Sequence, residues 1–195
     1  HPPAPAGQEP PMLPFRQIKK AIIDSLTPEL LTPQYRAGLT PDAPPETGHC
    51  AVASEAFYHL AGGKAAGFIP VVCGYSTFGD DALIFDPAAR ARTEQKGAVR
   101  ETHWWIRGPK NGQRGAGDVF DVTAGQYPFA FPYENGRPTG FMQPQQKPSR
   151  RAQVVMDRVV QKLGAANLAA YRRRQIADFQ KAQRKAARVP RPPRG

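Results

Sequence analysis

Three side chains in this 195-residue chain are of types that do covalent chemistry together: Cys50, His103 and Asp121. A thiol becomes a nucleophile when an imidazole within hydrogen-bond reach takes its proton, and a carboxylate on the far side of the ring fixes which nitrogen does so. Cys50 follows Thr47-Gly48 and opens an expected helix, where unpaired N–H groups and the helix dipole favour negative charge. That setting predicts a thiol pKa below the ordinary value of about 8.5. Backbone N–H groups near Cys50 would face a developing oxyanion. Each residue also has a plainer reading. A cysteine at a helix start is commonly a small core residue, His103 can be an ordinary strand residue, and Asp121 can cap a turn.

The elements that must position these residues follow from apolar spacing. Phe15, Ile18, Ile22, Leu26 and Leu30 recur at three- and four-residue steps, predicting an amphipathic helix over 15–31 that Pro28 ends or restarts. After a Pro-rich loop, a second helix runs from Cys50 to about Leu60 and stops at Gly62-Gly63. Short apolar runs at Phe68–Tyr75 and Ala82–Phe85 read as strands. Thr102–Arg107 and Asp118–Thr123 read as a long-looped antiparallel hairpin whose turn contains Asn111-Gly112. The charged stretch Asp86–Arg100 reads as a surface insertion. Ser149 can cap a helix striped by Ala152, Val155, Val159 and Leu163, and a basic helix follows over about 165–187. The expected class is α+β: a helix bearing Cys50 on a small antiparallel sheet, with a C-terminal helical basic tail. The expected divisions are a Pro-rich arm (1–14), a folded domain (15–163) and the tail (164–195). The Gly-rich stretch 108–117 lacks the Gly-Lys-Ser/Thr end of a phosphate-binding loop and reads as a turn.

Several short motifs, in order, resemble the YunG-like proteins: Gly48-His49-Cys50-Ala51-Val52-Ala53-Ser54-Glu55-Ala56, Thr102-His103-Trp104-Trp105, Asp121-Val122-Thr123-Ala124-Gly125-Gln126-Tyr127 and Pro148-Ser149-Arg150-Arg151-Ala152. The resemblance covers roughly 45–155. It implies a papain/transglutaminase-like fold, whose wider membership uses Cys-His-Asp or Cys-His-Asn for peptide, isopeptide or amide chemistry. It therefore implies a thiol hydrolase or transferase with Cys50, His103 and Asp121 as catalytic residues. His49, Trp105 and Gln126 are candidate substrate contacts at its rim. The Asp86–Arg100 insertion departs from the pattern and would alter that rim. No glutamine stands just before Cys50 where papain-like enzymes place an oxyanion donor, so a second donor is unassigned.

Charge divides the chain. Residues 147–195 hold 14 Lys and Arg against Asp157 and Asp178, or +12, while residues 1–146 hold 13 basic and 14 acidic residues, or −1; together these make the net +11. Arg172, Arg173, Arg174, Lys181, Arg184, Lys185 and Arg188 can neutralise phosphates in a sequence-independent way. The same residues can equally form a solvated helix that docks on an acidic partner or on its own domain. The alternative to an enzyme is thus a non-catalytic nucleic-acid-associated or virion (phage-type) packing protein. Two cysteines make no disulfide framework, though one bridge is possible; a reducing, cytoplasmic setting or a virion is the expectation. Cysteine and histidine spacings match no metal pattern, so no metal or other cofactor is expected. No apolar run of about 18 residues suggests a membrane span.

Overall fold

The computed structural model describes residues 13–74, 102–141 and 147–188. Tyr75, the run Ala82–Phe85, the insertion Asp86–Arg100, most of the Pro-rich arm and the end Val189–Gly195 lie outside them. Helix α1 (Phe15–Ile23) buries Ile18, Ala21 and Ile22, as their spacing dictates. It stops well before 31. The amides of Ser25 and Leu26 turn back to the carbonyls of Ile22 and Ile23 at 2.9 and 3.0 Å, and Pro28 opens a separate turn, Pro28–Leu30. A short α2 (Pro33–Ala37) follows. Helix α3 (Cys50–Leu60) lies in the interior, with nine of its 11 residues buried. It ends where Gly62 and Gly63 take φ of +99° and +53°, and a Cβ at Gly63 would lie 2.8 Å from the Tyr58 ring.

Four antiparallel strands form one sheet in the order β3-β2-β1-β4: β1 (Ile69–Gly74), β2 (Thr102–Arg107), β3 (Val119–Phe120) and β4 (Arg137–Pro138). The two-residue alternation of β2 sorts its side chains. Ile106 joins the main core with α1, α3 and the C-terminal helices. Trp105, opposite Val71, joins a second cluster with Val71, Cys73 and Phe131 on the other face. The β2–β3 hairpin turns at Asn111 (φ 52°) and Gly112 (φ 76°) between the bridged Lys110 and Gln113, the two left-handed residues that a tight hairpin turn of matching twist requires. The expected strand Asp118–Thr123 pairs over only two residues. Asp121 explains its end: its carboxylate captures the Thr123 N–H at 3.0 Å, turning the chain out of the ladder.

Helices α4 (Arg150–Leu163) and α5 (Ala165–Ala187) complete the main core. Ser149 caps α4, accepting from the Ala152 N–H at 3.2 Å. Its own N–H and hydroxyl donate to the buried Glu55 carboxylate of α3 at 2.7 and 2.6 Å. The helix start is thereby tied to α3 as well as capped. The basic C-terminal helix docks rather than trailing free: Leu168, Tyr171 and Phe179 of α5 are buried. The Phe179 ring lies so close over Gly67 that a Cβ there would be 2.7 Å away. No helix among the described residues is long and apolar enough to cross a membrane.

Candidate active site at the amino end of α3

The pairing of β2 with β3 involves Ile106 and Arg107, so the earlier part of β2 offers backbone groups to another partner. Helix α3 takes them. The Cys50 thiol donates to the Thr102 carbonyl at 3.3 Å, and the Ser54 hydroxyl donates to the Trp104 carbonyl at 2.9 Å. The residue between those two carbonyls is His103. Its ring is wholly buried and lies against Tyr127 and Phe131, with centroids 4.7 and 4.4 Å away. Its Nε2 is 2.7 Å from Asp121 Oδ2.

Asp121 sits just past β3 and is held from several sides. Tyr133 donates its hydroxyl to the same Oδ2 at 2.8 Å, and the Thr123 N–H occupies Oδ1. Lys19 of α1 reaches the Asp121 backbone carbonyl at 3.2 Å. Buried polar groups cost free energy unless paired, and this carboxylate is paired through both oxygens. Tyr133 sits in the turn Tyr133–Asn135. Burial, then the Asp121 charge and hydrogen bond, push its pKa upward, so the phenol stays a donor.

This arrangement sets the His103 tautomer. A carboxylate only accepts, so Nε2 carries the proton it donates, and in the neutral ring the lone pair falls on Nδ1. That Nδ1 is buried and meets no hydrogen-bond partner among the described residues. Cys50, 7% exposed, shows the opposite of the expected pKa shift: its thiol is pushed up to about 12. Burial is the largest cause and the nearby Asp121 charge adds to it. The backbone amides of Trp104, Ala51 and Cys50 itself pull the other way without overcoming burial. The amides at the helix start act with the expected sign, and the desolvation that comes with burial outweighs them.

The other candidates are scattered. His49 is 2% exposed, so it lies inside rather than on a rim. Its Nε2 meets the Thr27 carbonyl at 3.0 Å, which fixes the chain entering α3. Trp105 is wholly buried in the second core cluster; its neighbour Trp104 is the partly exposed indole, stacked on Phe141 at 5.6 Å. Gln126 is a brace. Its Oε1 accepts from the Gly48 N–H at 3.4 Å, while its Nε2 donates to the Thr123 carbonyl and hydroxyl at 3.1 and 3.0 Å, joining the approach to Cys50 with the Asp121 turn. Glu55 holds Ser149 through both carboxylate oxygens. Two contributors escaped the sequence reading. Thr123 was signalled by the Asp-x-Thr spacing of a side-chain turn, whereas no spacing links Tyr133 to Asp121.

The described residues hold no cluster of His, Cys, Asp and Glu suited to a metal ion. The seven basic residues named above are all exposed, on or just beyond α5. Comparison with known proteins gave no matching family model, curated protein or solved structure.

Proposed function

We propose that this chain is a thiol-dependent hydrolase or transferase acting on a peptide, isopeptide or amide bond, built on a papain/transglutaminase-like pairing of helix and sheet. One observation carries the reading: a buried imidazole held by Asp121 at 2.7 Å whose Nδ1 meets no partner among the described residues, next in sequence to the carbonyl that holds the Cys50 thiol. Unpartnered ring nitrogens also occur at His49 and His59, but among the described residues only His103 pairs its other nitrogen with a carboxylate. In this mechanism the Cys50 thiol leaves the Thr102 carbonyl and turns to His103 Nδ1, which takes its proton as sulfur attacks the substrate carbonyl. The oxyanion forms near the Cys50 and Ala51 amides that favour negative charge there. Nδ1 then returns the proton to the departing amine, leaving a thioester that water or an acceptor amine resolves. With burial pushing the thiol pKa up to about 12, the proton stays on sulfur until substrate arrives, and its transfer accompanies attack.

A second reading has its own support. A thiol 7% exposed and raised in pKa is what a core cysteine in a non-catalytic nucleic-acid-associated or virion packing protein would show. Intact-mass analysis of the native protein with an acyl-type electrophilic amide probe separates the two. The enzyme reading expects one adduct on Cys50, absent from Cys50→Ala and formed about 10²-fold more slowly in a folded His103→Ala variant, the scale of general-base assistance. An adduct that forms only after denaturation would leave the non-catalytic reading standing.

A further inference from the structure

Helix α5 has a docked side and an outward side, and their make-up differs sharply. Its apolar anchors are Leu168, Tyr171 and Phe179, with Ile176 half-buried beside them. At 100° per residue these fall on one side of the helix. Arg173, Arg174, Lys181, Arg184, Lys185 and Arg188 fall within an arc of about 120° on the opposite side, and all six are exposed. Arg172 lies off this arc, toward the docked side. Among the described residues the only ion pair on the helix is Arg174 with Asp178, at 3.2 Å between two exposed groups. Docking thus leaves a straight cationic ridge spanning about 22 Å from Arg173 to Arg188 at 1.5 Å per residue.

We infer that this ridge binds the phosphate backbone of duplex nucleic acid without reading its sequence. Three features favour that partner. The aromatic residues of α5, Tyr171 and Phe179, are consumed in docking, so no ring is offered for stacking on unpaired bases. The apolar residues are consumed too, which leaves nothing to insert into a lipid surface. Four of the six cations are arginines, whose planar forks suit phosphate oxygens, and the exposed Ala177 lies between them in the arc. The ridge is also separate from the thiol site. Ile176 and Phe179 pack near Gly62 and Gly67, past the C-terminal end of α3, whereas Cys50 begins that helix about 15 Å away by its rise. Nucleic-acid attachment is therefore a second activity, independent of whether Cys50 is a nucleophile.

Fluorescence anisotropy with a labelled 16-bp DNA duplex tests this in the full chain. With about five phosphates engaged, log K should fall against log salt with a slope near −4.5, and affinity should drop on the order of 10²- to 10³-fold between 50 and 200 mM salt. Replacing Arg184, Lys185 and Arg188 together by Gln keeps helix propensity and should reduce the slope by about 2.7. The thermal midpoint and the rate of Cys50 alkylation should not change. An unaltered slope in the triple variant would overturn the ridge. Binding of polyglutamate or of phosphatidylserine vesicles, at equal salt, as tightly as the duplex would overturn the choice of partner.

Discussion

The two ends of α3 are built on different principles. At the amino end, Cys50, Ser54, His49 and the approach at Gly48 are each tied by a polar contact to β2, to the loop at Thr27 or to Gln126, and the Asp121 network stands beside them. At the carboxyl end, Gly62, Gly63 and Gly67 let the Tyr58, Ile176 and Phe179 side chains pack directly on backbone. Hydrogen bonds are directional, and an unpaired buried group costs its desolvation. The amino end should therefore fail when a single acceptor is removed. Apolar packing answers to volume and shape, so the carboxyl end should fail in proportion to the cavity made.

The largest expected effect is at the amino end. Asp121→Ala removes the acceptor of His103, Tyr133 and the Thr123 amide together, and it should cost about 4 kcal/mol, on the scale of breaking a buried polar pair. Urea unfolding measures it, and a loss below about 1 kcal/mol would mean the network is not what holds that end. Phe179→Ala at the carboxyl end comes next, at about 3 kcal/mol from lost burial and a residual cavity. Its cost should be the same at pH 5 and pH 8, because no titratable group is removed; a cost that varied with pH would erase the contrast between the ends.

The smallest effect concerns protons. Burial lowers the pKa of His49 below its ordinary 6.5, partly offset by its bond to the Thr27 carbonyl, and burial likewise lowers that of His59. A folded-state pKa below the unfolded value means that the unfolded chain takes up the proton first. Stability is then full above about 6.5 and falls as pH drops below it toward the folded-state values. Thermal midpoints followed from pH 7 to pH 5 should decline, and His49→Gln should flatten the decline more than His59→Gln, since His49 is the more buried. An equal flattening by both would place acid sensitivity at neither end in particular.

Much of the fold was legible because it rests on local periodicity. The three-four spacing of Ile18 and Ile22, the stripe of Ala152, Val155 and Val159, and the Asn111-Gly112 turn each specify an element within a few residues of themselves. Apolar spacing continues through Leu26 and Leu30 and so overstates the first helix, whose backbone has already turned at Ser25, while Pro28 starts a new turn as expected. Two of the three rim positions, His49 and Trp105, prove to be buried. His49 stands beside Cys50 in sequence, but its ring turns to the Thr27 carbonyl; Trp105 shares the His103 face of β2, its ring 5.7 Å away, yet lies wholly inside the second cluster. Gln126 does lie between the approach to Cys50 and the Asp121 turn.

By itself, the order of residues determined which side chain types stand together and that a helix start and a strand would carry Cys50 and His103. It also determined the separation of a neutral body from a basic C-terminal quarter. Only the tertiary structure decided that Tyr133 and Thr123 would share the Asp121 carboxylate, that the His103 lone pair would be buried, and that burial would raise the Cys50 thiol instead of lowering it. It likewise decided that α5 would spend its aromatics on docking. The physical reason is range. Helix and turn preferences act over a few neighbouring residues, whereas desolvation and hydrogen-bond satisfaction depend on every group that the completed fold brings within a few ångströms.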